Sequence, residues 1–141
     1  MIALSTALAC LAMASPVCGP PERPVPAADF AIVYERSGGF APMPRKLVIR
    51  PVLLGTVTEV TATRRFRVRP NTAEGLRRAL ARAGFAAIDS PSPDTGCADC
   101  FLYEIRYRGH AVRFDQVSVP RRLQPVLDRL EAIAEAHRPF H

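Results

Sequence analysis

Residues 100–119, CFLYEIRYRGHAVRFDQVSV, decide the fold because apolar and polar side chains alternate on both sides of a glycine. Before Gly109, every second position is aromatic or aliphatic, and Val112 and Phe114 continue the alternation after it. A period of two is typical of a strand with one buried face, and glycine permits the positive φ of a tight turn. The stretch therefore predicts a β-hairpin whose first strand has Phe101, Tyr103, Ile105 and Tyr107 on one face.

Two amphipathic helices are predicted on either side of this hairpin. The first begins at a capping box over Asn71–Glu74 and ends at Gly84, with an apolar stripe at helical spacing. The second is entered through Pro120 and Pro125 and ends before Pro139. The two stripes are Ala73, Leu76, Leu80 and Ala83, and Leu123, Val126, Leu127, Leu130, Ile133 and Ala134.

Three apolar stretches upstream predict further strands. FAIVYE (30–35) is a strand that ends at Ser37–Gly39, and KLVIRPVLLGTVTEV (46–60) is β-branched throughout. Because proline cannot donate to a ladder and glycine weakens a strand interior, we expect the second stretch to be one kinked or bulged edge strand. In RRFRVRP (64–70), Phe66 and Val68 face one way, and a basic row faces the other: Arg65, Arg67 and Arg69.

The order of these elements is strand, strand, helix, strand, strand, helix. Such an order predicts the α+β class, with an antiparallel sheet of about four to five strands packed against two main helices. We expect one domain over residues 29–141. The sequence leaves the role of segment 45–70 open.

The N-terminal residues predict export. Residues 1–14 form an apolar run that ends in Ala12-Met13-Ala14, which is typical of a cleaved signal peptide and too short to span a bilayer as a helix. The proline-rich residues 15–28 predict a flexible tether. We therefore expect a secreted or periplasmic protein without stable membrane insertion, and a lipoprotein anchor at Cys10 or Cys18 is the weaker alternative.

Export would leave three cysteines in the mature chain: Cys18, Cys97 and Cys100. In an oxidising compartment Cys97 and Cys100 can close a small disulfide ring, or one of them can pair with Cys18. Zinc binding, redox chemistry and free thiols remain alternatives. A zinc site needs about four ligands, and the chain has no second CxxC to complete one, so the disulfide is favoured.

Enzyme chemistry finds little support in the sequence. There is no Gly-x-Ser-x-Gly elbow and no phosphate-binding glycine loop, and His110, His137 and His141 do not form a metal-binding pattern. We therefore predict no catalytic residues, no metal and no cofactor. The net charge of +6 would suit a nucleic-acid partner. Export argues against that partner, and so does the lack of aromatic side chains between the arginines of the basic row, on which bases could stack.

The loop Ser37-Gly38-Gly39-Phe40 admits two interpretations. The glycines can simply supply the positive φ of a strand reversal. They can also present Phe40, an apolar ring held between Gly39 and the stiff residues 41–44, as an anchor for a partner protein.

Two stretches carry a family resemblance. YERSGGFA at 34–41 and DCFLYEIRYRGHAVRFDQVSVPRRLQPVLDRL at 99–130 together resemble emfourin and its relatives, small proteinaceous inhibitors of thermolysin-like metalloproteases. The resemblance implies an inhibitor that occludes the protease cleft, is a monomer when free, and contacts the enzyme through Ser37, Gly38, Gly39 and Phe40. The alternative is an envelope binding or structural module that meets an anionic partner through Arg65, Arg67 and Arg69.

Overall fold

A computed structural model of the protein describes residues 30–40, 43–91 and 97–139. The predicted signal peptide (1–14) and tether (15–28) lie outside these described residues. Within the described ranges, an antiparallel sheet of six strands packs against two helices, which confirms the predicted α+β class. No helix in this part of the chain is both long enough and apolar enough to cross a membrane.

The described residues form eight main elements and two short 3₁₀ turns. Two 3₁₀ turns, Phe85–Ala87 and Arg121–Leu123, flank the helices. The main elements are β1 (Ile32–Gly38), β2 (Arg45–Ile49), β3 (Leu54–Glu59), β4 (Ala62–Arg67), α1 (Pro70–Ala83), β5 (Phe101–Tyr107), β6 (His110–Asp115) and α2 (Gln124–Ala136).

The sheet has one more strand than the predicted range, and four strands rather than the predicted two precede the first helix. Residues 46–60 in particular were assigned wrongly. They form the end of β2 and all of β3, two interior strands rather than one kinked edge strand. Pro51 lies in the turn between them, where Leu53 N–H donates to the Arg50 carbonyl at 3.0 Å. Gly55 is needed within β3 because a Cβ there would overlap the Phe66 ring of β4.

The strand order β4-β3-β2-β1-β5-β6 puts β1 at the centre of the sheet. Tyr34 pairs with Leu47 on one side and with Ile105 on the other. These residues lie on the face covered by the helices, and all three are fully buried. The opposite face of the sheet is not covered by any described helix, and we call it the open face; it carries Glu35, Lys46 and Glu104 among others.

Both helices pack against the sheet through their predicted apolar stripes. Every member of the two predicted apolar sets is buried, and Gly84 ends α1 in the left-handed conformation with a φ of 61°. The predicted capping box is wrong, since α1 begins at Pro70 and has no side-chain cap bond. Glu74 instead accepts a hydrogen bond from Arg77 Nε at 2.9 Å.

A buried ion pair joins the sheet to α2. Arg45 on β2 and Glu59 on β3 are register partners, only 4% and 2% exposed, and Arg45 Nε donates to Glu59 Oε1 at 2.5 Å. The same guanidinium lies 3.1 Å from Glu135 near the end of α2. Arg138, just beyond that helix, reaches the other oxygen of Glu59 at 3.3 Å. The pair therefore fixes the C-terminal turn of α2 against two strands.

Tyr34 makes a second polar link between the sheet and α2. Its buried hydroxyl donates to Glu131, which also lies 3.4 Å from Arg36 on β1. Burial, together with the Glu131 carboxylate, raises the pKa of Tyr34. The phenol therefore stays protonated and keeps its role as the donor.

Arg45→Met tests how much the buried ion pair contributes to the free energy of unfolding. The substitution leaves the Glu59 carboxylate buried with a weaker set of donors, so the free energy of unfolding should fall by about 3–5 kcal/mol. Arg77→Met is the matched control: it removes the exposed Arg77–Glu74 pair and should cost about 1 kcal/mol or less. Chemical denaturation of both variants checks this, and equal losses would contradict it.

Candidate protein-binding site

Four parts of the chain that enter or leave strands meet at one end of the sheet. Because neighbouring strands are antiparallel, the described residues 39–40, 43–44, 60–61, 97–100 and 116–118 all lie at the end where β1, β3 and β6 finish. We call this the loop end. It contains the predicted loop Ser37–Phe40 and the predicted cysteine pair, so the structure brings these two sets of candidate residues together.

The glycine turn at the end of β1 depends on both its conformation and its neighbours. Gly38 and Gly39 have φ values of 79° and 84°, in the region that L side chains rarely adopt. A Cβ on Gly38 would lie 2.8 Å from the Cys100 carbonyl oxygen, and one on Gly39 would lie 2.5 Å from the Phe101 ring. Two adjacent positions therefore require glycine, for backbone strain and for close packing at once.

The first residues of β5 and the residue before it contact the glycine turn and hold it in place. Gly39 N–H donates to the Cys100 carbonyl at 3.2 Å, and Gly39 lies against the Phe101 ring. The Arg36 guanidinium lies 4.7 Å from the centre of that ring, and it also pairs with Glu131 of α2. A chain of contacts thus runs from α2 through Arg36 and Phe101 to the glycine turn.

A disulfide between Cys97 and Cys100 closes the segment that supplies this carbonyl. The two Cα atoms are 5.4 Å apart, and the Cys100 side chain is buried. The predicted local pairing of Cys97 with Cys100 is therefore the one observed. Cys18, the other candidate partner, lies outside the described residues.

Phe40 is the most exposed large apolar side chain of the described residues. It is 92% exposed, although the glycine turn just before it is tightly anchored. Such a ring adds little to the core, so the core does not account for its presence. Residues 41–42, which follow it, lie outside the described ranges, and β2 begins at Arg45.

A shallow groove of about 550 Å³ lies on the open face next to the loop end. Paired charges line it: Glu35 lies 2.8 Å from Lys46, and Glu104 lies 2.6 Å from Arg113. Arg106, which is not part of the lining, lies 2.6 Å from Glu35. The hydrogen bond from Lys46, with the nearby Arg106 charge, lowers the pKa of Glu35. The groove is therefore a surface of neutralised ion pairs rather than a strongly charged cleft.

The predicted basic row lies away from the glycine turn. Arg65, Arg67 and Arg69 are exposed, and Arg65 and Arg67 lie on the open-face side of the edge strand β4. Arg67 pairs in register with Leu54, at the end of the sheet opposite the loop end. The structure thus separates the two predicted surfaces.

The described histidines are engaged in packing. His110 Nε2 lies 2.8 Å from the Ile88 carbonyl oxygen, and the His137 ring stacks on Phe66 at 3.8 Å between centroids. In the described ranges no three His, Cys, Asp or Glu side chains are grouped so that they could hold a metal ion. What the loop end offers chemically is an apolar anchor on a braced turn, which suits noncovalent binding.

Of the bracing residues, Arg36 and Phe101 were not identified as site residues from the sequence, and Cys100 was predicted only as a disulfide candidate. Their role depends on the register in which β5 lies against β1, and no local pattern encodes that register.

No protein-family model matches the chain, and no curated protein matches it significantly. The resemblance to emfourin therefore stays a prediction.

Gly39→Ala tests the close packing of the turn, with Gly109→Ala as the matched control. Both glycines have a positive φ, 84° and 76°, but a Cβ on Gly109 would meet nothing within 4 Å. Both variants share a strain of about 1–2 kcal/mol, and overpacking against Phe101 should add about 1–3 kcal/mol for Gly39 alone. Denaturation curves measure the difference, and equal losses would mean that Phe101 does not brace the turn.

Proposed function

We propose that the protein is an exported inhibitor of a thermolysin-like zinc metalloprotease. Phe40 carries the proposal, because it is 92% exposed on a turn anchored to Cys100 and Phe101. The loop enters the active-site cleft of the protease and excludes substrate. The protein itself breaks no bond in this scheme.

The anchored turn supports this mode of binding energetically. A loop that is already ordered loses little conformational freedom when a partner closes on it, so more of the contact energy appears as affinity. Complete burial of a phenylalanine side chain contributes about 1.5–3 kcal/mol. The hydrogen bond from Gly39 to Cys100 and the Phe101 contact supply that order before the protease arrives.

The resemblance supports the choice of enzyme class. Thermolysin-like proteases have a hydrophobic pocket beside the catalytic zinc, and an apolar ring on a stiff turn fits such a pocket. The zinc belongs to the protease, so the inhibitor needs no metal of its own. The net charge of +6 would steer the inhibitor toward an acidic enzyme and would make association slower at high salt.

Phe40→Ala tests the anchor directly. If the ring is buried in the complex, its loss should cost about 2 kcal/mol or more, which raises the inhibition constant about thirty-fold. Leu54→Ala, which trims an exposed apolar side chain at the other end of the sheet, is the control and should leave inhibition unchanged. Titration against purified thermolysin-like proteases provides the measurement.

Two results would count against the proposal. An unchanged inhibition constant for Phe40→Ala would remove the ring from the contact. Failure of the unaltered protein to inhibit any of these enzymes would remove the function itself.

One observation favours a second function, that of an envelope binding or structural module. Arg65, Arg67 and Arg69 are exposed along one edge of the sheet, away from the glycine turn. A row of guanidinium groups suits an anionic surface such as lipid headgroups or an acidic polysaccharide. In this case the turn serves the fold, and Phe40 has no protease to contact.

Replacement of all three arginines by glutamine separates the two functions. For an envelope module, cosedimentation with anionic vesicles should weaken in the triple variant, because each arginine near such a surface contributes about 1 kcal/mol. For a protease inhibitor, the triple variant should inhibit as the unaltered protein does at physiological salt. Unchanged vesicle binding would argue against the second function.

A further inference from the structure

Exposed apolar side chains are concentrated at the loop end. Seven large apolar residues of the described ranges are exposed, and only Val52 and Leu54 lie at the opposite end of the sheet. Of the other five, Leu102 lies beside the loop end as the second residue of β5, and four lie at the loop end: Phe40, Met43, Val60 and Val117. Grouped apolar residues on a surface mark sites of protein contact, whereas scattered ones need no explanation.

Val60 has no structural reason to be valine. It lies in the two-residue turn between β3 and β4 with a φ of 52°, a conformation that β-branched residues rarely adopt and that asparagine or glycine favours. It is 56% exposed, so burial does not offset the strain. Leu53 also has a positive φ, but that side chain packs against the core.

Val117 is presented in a similar way on the other side of Phe40. The Asp115 carboxylate accepts hydrogen bonds from Val117 N–H at 2.9 Å and Ser118 N–H at 2.7 Å, which fixes the turn. Val117 is nevertheless 66% exposed. A rigid turn again carries an apolar side chain that points away from the core.

Both turns are tied to the elements that flank Phe40. Val60 N–H donates to the Pro44 carbonyl at 3.2 Å, and Gln116 N–H donates to the Phe101 carbonyl at 2.9 Å. The strand order places the β1–β2 loop between them. With neighbouring strands about 4.8 Å apart, Val60 and Val117 are separated by roughly 20 Å across the loop end.

The area required by a stable complex argues for a surface of this width. A specific interface buries about 800 Å² on each partner, and one phenylalanine side chain supplies roughly 200 Å². The Phe40 loop alone therefore cannot form the whole contact. The flanking turns offer apolar surface at the same end and in fixed positions.

We infer that the contact surface for the protease has three segments: the Phe40 loop in the centre, with the Val60 turn and the Val117 turn on either side. This inference rests on the proposed function. The partner is an enzyme whose cleft receives Phe40 and whose two rims are apolar where they meet Val60 and Val117. Val60 and Val117 would then help to decide which protease is inhibited.

Three asparagine variants test the inference: Val60→Asn, Val117→Asn and, as the control, Val52→Asn. Val52 is 69% exposed, an exposed fraction similar to the 66% of Val117, but it lies at the opposite end of the sheet. None of the changes alters the charge. Each flanking variant should raise the inhibition constant about tenfold, since burial of a valine contributes about 1.5 kcal/mol, and the control should leave it within about twofold.

Stability measurements separate binding from folding. Because asparagine tolerates a positive φ better than valine, Val60→Asn should unfold at the same or a higher denaturant concentration while it inhibits less. If Val60→Asn or Val117→Asn inhibits as well as Val52→Asn while Phe40→Ala is impaired, the three-segment surface is overturned and the proposed function stands. If the unaltered protein inhibits no thermolysin-like protease, both are overturned.

Discussion

The pairing of β1 with β5 joins two parts of the chain, residues 32–83 and residues 101–136. Strands β1 to β4 and helix α1 come from the first part, and β5, β6 and α2 come from the second. Seven register pairs, from Ile32 with Tyr107 to Gly38 with Phe101, connect them at the centre of the sheet. The same register sets the Cys100 carbonyl and the Phe101 ring behind the glycine turn, so one strand pairing determines both the core and the loop end.

Local patterns were sufficient for much of the fold. The hairpin at 101–115 followed from a period of two around Gly109, and the helices followed from apolar stripes whose members are all buried. The 46–60 run failed because both halves are β-branched and the turn between them contains neither glycine nor asparagine. Leu53 adopts a positive φ there, held by packing against the core. Such a turn depends on tertiary contacts that composition does not reveal.

The candidate site could be predicted only in part, for the same reason. Adjacent glycines before Phe40 indicated a reversal that presents a ring, and the short cysteine spacing allowed the observed disulfide. Arg36 and Phe101 brace the turn through contacts between distant parts of the sequence, and a single sequence contains no sign of them. Val60 and Val117 are single valines in turns, and only their backbone conformation and exposure distinguish them.

In the glycine turn, the residue that is exposed to solvent is not one of the residues that hold the backbone against β5. Phe40 contributes almost nothing to the interior, whereas Gly38, Gly39, Cys100 and Phe101 hold the backbone in place. Position 40 can therefore change its side chain with little effect on folding, much as an antibody framework tolerates variation in its loops. Variation at position 40 therefore changes the outer surface of the loop end while the sheet beneath stays the same.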